Sequence, residues 1–475
     1  MGRAGEPGRG PDRSASSRPL TAPEPDGRRL PAGFLFGAAT SAYQIEGGAA
    51  LGGRTASVWD VLGAVPGRIA DGSSGTVAVD HYHHWSDDVA QLADLGVTGY
   101  RMSLSWSRLQ PHGRGPANPA GVAFYDRLID RLLSAGIAPF VSLHHRDLPL
   151  EVMERGGWLA RETTDDFADY TALAAAAIGD RVAAWATIDE PLLETAYGYA
   201  VGIDPPGLTL LGGAFQAAHH QLLAHGRAAA VLRSVSTAQI GIVNRHTTVD
   251  PARSRAADRI AAGFFDLYHN RQFADPILRG SYPVAILDMP GAGTDVIRDG
   301  DLALISAPLD YYGISHAHPT TVAAAPGNTA IPFSLEPGHD MPMSPAGWPI
   351  HPESLTRLLV EMDRRYPNLP PMYVTGSGGA FDEEPAAAGS GTDAAAPPDL
   401  DRIAYLDDHL AAITAAMTAG CDVRGYFHWS LLDSWEWAEG FTRRFGLIRV
   451  DPISLERIPR ASFAHYRDLI ASHRR

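Results

Sequence analysis

From residue 34 onward, short runs of apolar residues alternate with longer segments whose apolar positions recur every three or four residues. The short runs fall at 34–45, 100–106, 139–145, 184–190, 240–244, 311–317, 372–375 and 423–430. Most are apolar at successive positions. Parallel strands covered by helices need that, whereas a half-solvated antiparallel strand alternates. The helix after the second run is the most clearly marked. Asn118 is placed to cap it and Pro119 suits its first turn; Tyr125, Leu128, Ile129, Leu132 and Leu133 follow at helical spacing, and Gly136 ends it. Similar segments cover 165–178, 214–232, 256–270, 352–364, 403–418 and 462–471. Strand and helix alternating eight times predict an α/β protein built as a (β/α)8 TIM barrel.

A bare barrel takes about 250 residues. This chain has 475, so the excess is expected in elaborated βα loops. The stretch 383–400, rich in Ala, Pro and Gly, reads as a flexible loop after the seventh strand. Residues 1–29, rich in Arg, Pro, Gly and Ser, have no apolar core segment and read as a disordered tail. Residues 30–475 read as the barrel domain. With no signal segment and no spanning apolar run, a cytoplasmic location is expected.

Composition narrows the chemistry. The net charge of −15 disfavours nucleic acid and anionic membrane surfaces as partners. A single cysteine, Cys421, excludes an internal disulfide and any cysteine-clustered metal site. The chain has no lysine, which removes Schiff-base chemistry. The run Asp80-His81-Tyr82-His83-His84-Trp85 fits no zinc spacing and is read as structural. The glycines at 376, 378 and 379 match neither a P-loop nor a dinucleotide fingerprint. No cofactor and no metal is expected.

Polar residues at the C-terminal ends of barrel strands are the place to look for chemistry. The first run ends in Gln44-Ile45-Glu46, the third in His144-His145-Arg146-Asp147, and the fourth in Asp189-Glu190-Pro191. The eighth leads from Trp429 to Asp433-Ser434-Trp435-Glu436-Trp437. Glu190 is the candidate proton-transfer group, a carboxyl at the barrel mouth. Asp189 precedes it and, on a regular strand, points to the other face. Arg146, at the end of a neighbouring strand, either pairs with Asp189 or binds an anionic substrate group. Tryptophans beside amide, imidazole and carboxyl groups suit a sugar, whose C–H faces stack on indole and whose hydroxyls need polar partners. Gln44, His145, Glu436, Trp429 and Trp437 are the candidate sugar ligands, and the partner is a small glycoside or other sugar-bearing molecule.

These residues resemble the family-one glycoside hydrolases, the β-glucosidase family. The resemblance runs from about residue 30 to 473. It is carried by the segment from Phe34 to Gly47, by Tyr100-Arg101-Met102-Ser103-Leu104-Ser105-Trp106, and by the segment from Trp429 to Gly440. It implies a (β/α)8 barrel and retaining hydrolysis by two glutamates. Gln44, His145, Glu436 and Trp437 match the family's ligands for sugar hydroxyls. Trp429 matches the platform below the ring, and Glu190 matches the acid/base.

The other half of the catalytic pair departs from the family pattern. The nucleophile motif Ile-Thr-Glu-Asn-Gly reads Val374-Thr375-Gly376-Ser377-Gly378, so glycine stands where the nucleophile is expected. The family's Asn-Tyr-Tyr reads Ser315-His316-Ala317, its His-Trp-Asp reads His145-Arg146-Asp147, and its Asn before the acid/base is Asp189. The sequence reading is therefore an enzyme using Glu190 without a protein nucleophile. Inverting hydrolysis, transfer from an activated α-glycosyl donor, elimination or rearrangement all fit. So does assistance by a substrate 2-acetamido group oriented by Asp189. Two further readings are a catalytically inactive sugar-binding protein and a retaining β-glucosidase whose nucleophile has moved to Asp382, Glu383 or Glu384.

Overall fold

The computed structural model describes residues 30–328, 331–338, 341–381 and 399–474. The tail at 1–29, most of the loop at 383–400, and Asp382, Glu383 and Glu384 lie outside the described residues.

Eight parallel strands close into a barrel. They are β1 (Leu35–Ala39), β2 (Gly99–Ser103), β3 (Ala138–His144), β4 (Ala184–Asp189), β5 (Gln239–Arg245), β6 (Tyr311–Ser315), β7 (Met372–Ser377) and β8 (Val423–Trp429). Each strand pairs with its sequence neighbours, and β1 pairs with β8 to complete the ring. Ala39, Phe140, Ala184, Tyr311, Tyr373 and Phe427 fill the interior. Phe140 meets Phe427 edge to face with centroids 4.9 Å apart, so the barrel is a packed core and not a pore. Room for Phe427 comes from Gly37, where an added Cβ would stand 2.3 Å from the Phe427 ring.

The helix Pro119–Ser134 begins as expected, with the Asn118 side chain accepting a hydrogen bond from the Ala120 amide. Helices Thr163–Ile178, Phe215–Val235, Pro352–Arg365, Leu400–Thr418 and Ala461–His473 match the remaining periodic segments. The segment expected at 256–270 is interrupted. An α-helix over Ala256–Asp266 loosens into a π-helix over Leu267–Arg271 before resuming at Gln272–Arg279.

Every strand ends at least one residue away from the sequence expectation, and three of the differences bear on the site. The run at 34–45 is not one strand: β1 stops at Ala39, and Ala42–Ile45 turn as a short helix that carries Gln44. β2 stops at Ser103, and the rest of its apolar run enters the helix Trp106–Leu109. Buried helix and buried strand have the same apolar signature over so few residues. β5 runs one residue further than expected and ends on Arg245. The loops after β5 and β6 also form a small sheet that periodicity did not reveal. In it, Val249–Pro251 lie parallel to Thr320–Ala324, which pair antiparallel with Phe333–Glu336. This sheet walls one side of the barrel mouth. No helix among the described residues is long and apolar enough to cross a membrane.

Candidate active site

A cavity of about 610 Å³ opens at the C-terminal ends of the strands. Gln44, His145, Arg146, Glu190, Glu436 and Trp437 line it. So do Trp429, Ser315, His316, Ala317 and Gly376. Candidates drawn from six strand ends therefore converge on one space. Backbone strain converges there as well. Among the described residues, Arg146 (φ 67°), Glu190 (φ 53°) and Trp437 (φ 55°) are non-glycine residues in the left-handed region. Such positions cost about 1–3 kcal/mol each and persist where surrounding structure holds them.

The sugar-type half is built as follows. The Ser41 hydroxyl donates to Gln44 Oε1 at 2.6 Å and so fixes the amide, leaving the buried Nε2 with no well-formed hydrogen bond and only a weak contact to the Glu436 carboxyl. Burial keeps the His145 imidazole neutral, with its pKa pulled down to about 4; its Nδ1 is turned toward the buried Asp189 and its Nε2, which makes no hydrogen bond among the described residues, toward Glu190. Burial pushes Glu436 up to about 8, against the pull of Ser434, whose hydroxyl donates to it at 2.6 Å, and of the Gln44 amide. Glu436 is thus largely protonated at neutral pH, a state able to donate as well as accept. Unpaired polar atoms beside Trp429 and Trp437 are costly unless a hydroxyl-rich ligand meets them. Trp435, by contrast, is fully buried core. Its indole donates to Ser73 Oγ at 3.0 Å and packs on Trp59.

Glu190 leaves β4 through its left-handed turn, so its side chain does not follow the strand alternation and reaches the cavity. Its Oε1 accepts a short hydrogen bond from the Ser315 hydroxyl and lies 3.4 Å from Arg245 Nη1. Its Oε2 lies 3.9 Å from His145 Nε2. Burial alone would raise its pKa, but Arg245 above all, helped by Ser315, holds it down at about 2. With its pKa so low, Glu190 rests as a carboxylate at neutral pH.

Asp189 does not reach the cavity wall. It is fully buried, accepts from Arg101 Nη1 at 2.5 Å and from the Ser142 hydroxyl at 2.9 Å, and sits 3.8 Å from His145 Nδ1. The pairing of Arg146 with Asp189 is therefore corrected on both sides. Asp189 belongs to Arg101, and Arg146 is held by Asp204, with its guanidinium 4.5 Å above the Trp437 ring. The left-handed backbone at Arg146 turns its side chain toward the loop that carries Asp204. With its charge already matched, Arg146 is a poor candidate for an anionic substrate. Asp189 is likewise not placed to orient a 2-acetamido group. An Asp204→Asn variant should lose about 2 kcal/mol of stability, read as a lower denaturation midpoint at unchanged slope.

Gly376 sits at a register shift near the end of β7, paired with Ser315 of β6. A Cβ placed on it would stand 3.3 Å from Ser315 Oγ, 3.8 Å from Ser315 Cβ and 4.0 Å from Arg101 Nη2. The Ser315 hydroxyl thus bridges Glu190 and the Gly376 position. Arg101, Asp204 and Arg245 were not singled out from the sequence. Arg101 lies inside a motif that carried the resemblance, and Arg245 lies one residue beyond the expected strand end.

Comparison with known proteins fits this geometry. The model of glycosyl hydrolase family 1 matches residues 27–475. The chain belongs to glycosyl hydrolase family 1. This family-one chain is 36% identical over 448 residues to β-glucosidase A of Thermotoga maritima, covering 94% of this chain and 98% of that protein. It is 40% identical over 466 residues to the bifunctional β-D-glucosidase/β-D-fucosidase of Bifidobacterium breve, covering 94% and 98%. Among solved structures, a psychrophilic β-glucosidase of Micrococcus antarcticus superposes with a TM-score of 0.88 at 40% identity, covering 94% and 98%. The glycoside-hydrolase character of the chain and its barrel rest on these matches together with the closed eight-stranded sheet.

Proposed function

We propose that this protein acts on a glycoside with Glu190 as its acid/base and with no protein nucleophile. The sugar is held by Gln44, His145, Glu436, Trp429 and Trp437. The observation that carries this reading is Gly376, which lines the cavity beside Glu190 and has Ser315 and Arg101 as its nearest neighbours rather than a carboxylate. A covalent glycosyl intermediate needs a carboxylate about 5–5.5 Å from the acid/base. A glycine supplies none, and Ala317 widens the space. The attacking group then comes from outside the protein, and the outcome at the anomeric carbon is inversion. With Glu190 held as a carboxylate, the readiest role is that of base. It takes the proton of water or of an acceptor hydroxyl that attacks an activated α-glycosyl donor, whose leaving group departs over Gly376.

The reading is tested with an aryl β-glucoside, with and without added formate or azide. Without the anion, turnover is expected to be very slow. With it, release of the aryl group should rise at least tenfold, and the sugar product should be an α-glycosyl formate or azide, identified by NMR. Fast turnover without any anion, giving β-glucose first, would overturn the proposal. It would bring back a retaining enzyme served by Asp382, Glu383 or Glu384.

A further inference from the structure

Two guanidinium groups and a hydroxyl line the cavity around Glu190 and Gly376. Arg101 gives Nη1 to Asp189, while its Nη2 makes no hydrogen bond among the described residues and stands 4.0 Å from the position of a Cβ on residue 376. The Arg245 side chain contacts Glu190 through Nη1, at 3.4 Å, lies 5.7 Å over the Trp348 ring, and makes no other hydrogen bond among the described residues. The Ser315 hydroxyl donates to Glu190 and faces the Gly376 position. His316 adds a buried Nδ1 without a partner at the same end of the cavity. Glu190 and Asp189 take only part of what these groups can donate, and the guanidinium nitrogens left over around an open space describe an oxyanion site. Arginine is the residue suited to it, because its planar fork meets phosphate or carboxylate two bonds at a time.

We propose that inorganic phosphate, held by Arg101, Arg245 and Ser315 over Gly376, is the attacking group, and that the protein is an inverting glycoside phosphorylase. This rests on the reading of the cavity as a glycoside site. In the cleavage direction, phosphate enters as its monoanion and passes a proton to Glu190. An oxygen of the resulting dianion attacks the anomeric carbon from the Gly376 side, and a new C–O bond forms. The glycosidic bond breaks with its electron pair on the aglycone oxygen, which takes the proton from Glu190. The products are an α-glycosyl phosphate and a free alcohol, so every proton and electron pair is accounted for. The reverse reaction makes a β-glycoside. There Glu190 takes the acceptor's proton and phosphate leaves with the bonding pair.

Phosphate also answers the ionisation of Glu190. On arrival it draws Arg245 and Ser315 to itself and sets a like charge beside the Glu190 carboxylate. Both changes favour the protonated acid that cleavage needs. The charged groups facing Glu190 are Arg245 from β5 and Arg146 following β3, and the titratable ones are His145 and His269, whose imidazoles burial keeps neutral.

Phosphate binding to the full chain is measured by calorimetry, and product formation from an aryl β-glucoside is followed by phosphorus NMR. Saturable binding and an α-glucosyl phosphate signal are expected. Arg245→Gln should weaken phosphate binding by at least about tenfold, and Arg245→Lys should recover part of it. If Arg245→Gln fails to fold, as judged by its melting curve, competition of sulfate against phosphate on the unaltered chain takes its place, and sulfate is expected to compete. Phosphate that does not bind, or that binds and never enters the product, overturns the proposal. Formation of α-glucosyl formate without any α-glucosyl phosphate sinks the phosphorylase while leaving the nucleophile-free reading intact. Phosphate binding that depends on Arg245, in a chain that binds no aryl glycoside, keeps the anion site and sinks both the glycoside reading and the phosphorylase.

Discussion

A Gly376→Glu variant is expected to hydrolyse aryl β-glucosides on the order of 10³-fold faster than the unaltered protein. The site around residue 376 is otherwise prepared for a carboxylate. Arg101 Nη2 and Ser315 Oγ already face it, and Glu190 waits on the far side of that hydroxyl. The Cβ would approach Ser315 Oγ to 3.3 Å, closer than usual, so Ser315 must rotate by a few tenths of an ångström. That movement weakens its hold on Glu190. The new carboxylate also adds a like charge, and the two effects raise the Glu190 pKa from about 2 toward the range of a working acid. Two measurements check the result. The first sugar product should be the β-anomer, and kcat/KM should acquire a falling limb at alkaline pH as Glu190 loses its proton. A variant that folds and still hydrolyses no faster than the parent would mean that residue 376 does not stand where an attacking carboxylate belongs. Adding Ala317→Tyr should enhance the gain, because it refills the volume beside the new glutamate.

Glu190→Gln should cost about 10²–10⁴-fold in turnover of any glycoside or glycosyl donor the protein uses. The substitution keeps the shape and an acceptor for Ser315 but removes the group that gives and takes protons. It separates the readings of this chain. An enzyme loses rate with little change in sugar binding, whereas a pure sugar-binding protein keeps its affinity and has no rate to lose. Donors whose leaving group needs no proton should be spared most in the cleavage direction. An equal loss for good and poor leaving groups would show that Glu190 serves the attacking group instead. Unimpaired turnover would remove Glu190 from the chemistry altogether.

Much of the candidate site was legible in the sequence. Gln44, His145, Glu190, Trp429, Glu436 and Trp437 were found by one rule, that barrel chemistry lies at the C-terminal strand ends, and all six line one cavity. Gly376 and Ala317 were found by comparing motifs, and they too face that cavity. Charge pairing was not legible. Arg146 and Asp189 sit at the ends of adjacent strands, yet Arg146 bonds Asp204, 58 positions along the chain, and Asp189 bonds Arg101, 88 positions back. Arg245 escaped notice because β5 ends one residue later than its apolar run.

Periodicity and motif by themselves determined the eightfold alternation, the barrel, the family resemblance and the substitution of glycine at the position expected for a nucleophile. These are properties of residues close together in the chain, or of spacing repeated along it. The tertiary structure alone decided which arginine is spoken for and which faces open space, and that Glu190 rests as a carboxylate. Those outcomes depend on loops that return from distant parts of the chain. An ionic contact is set by a few ångströms of separation and by the exclusion of water, and neither is written in the order of the residues.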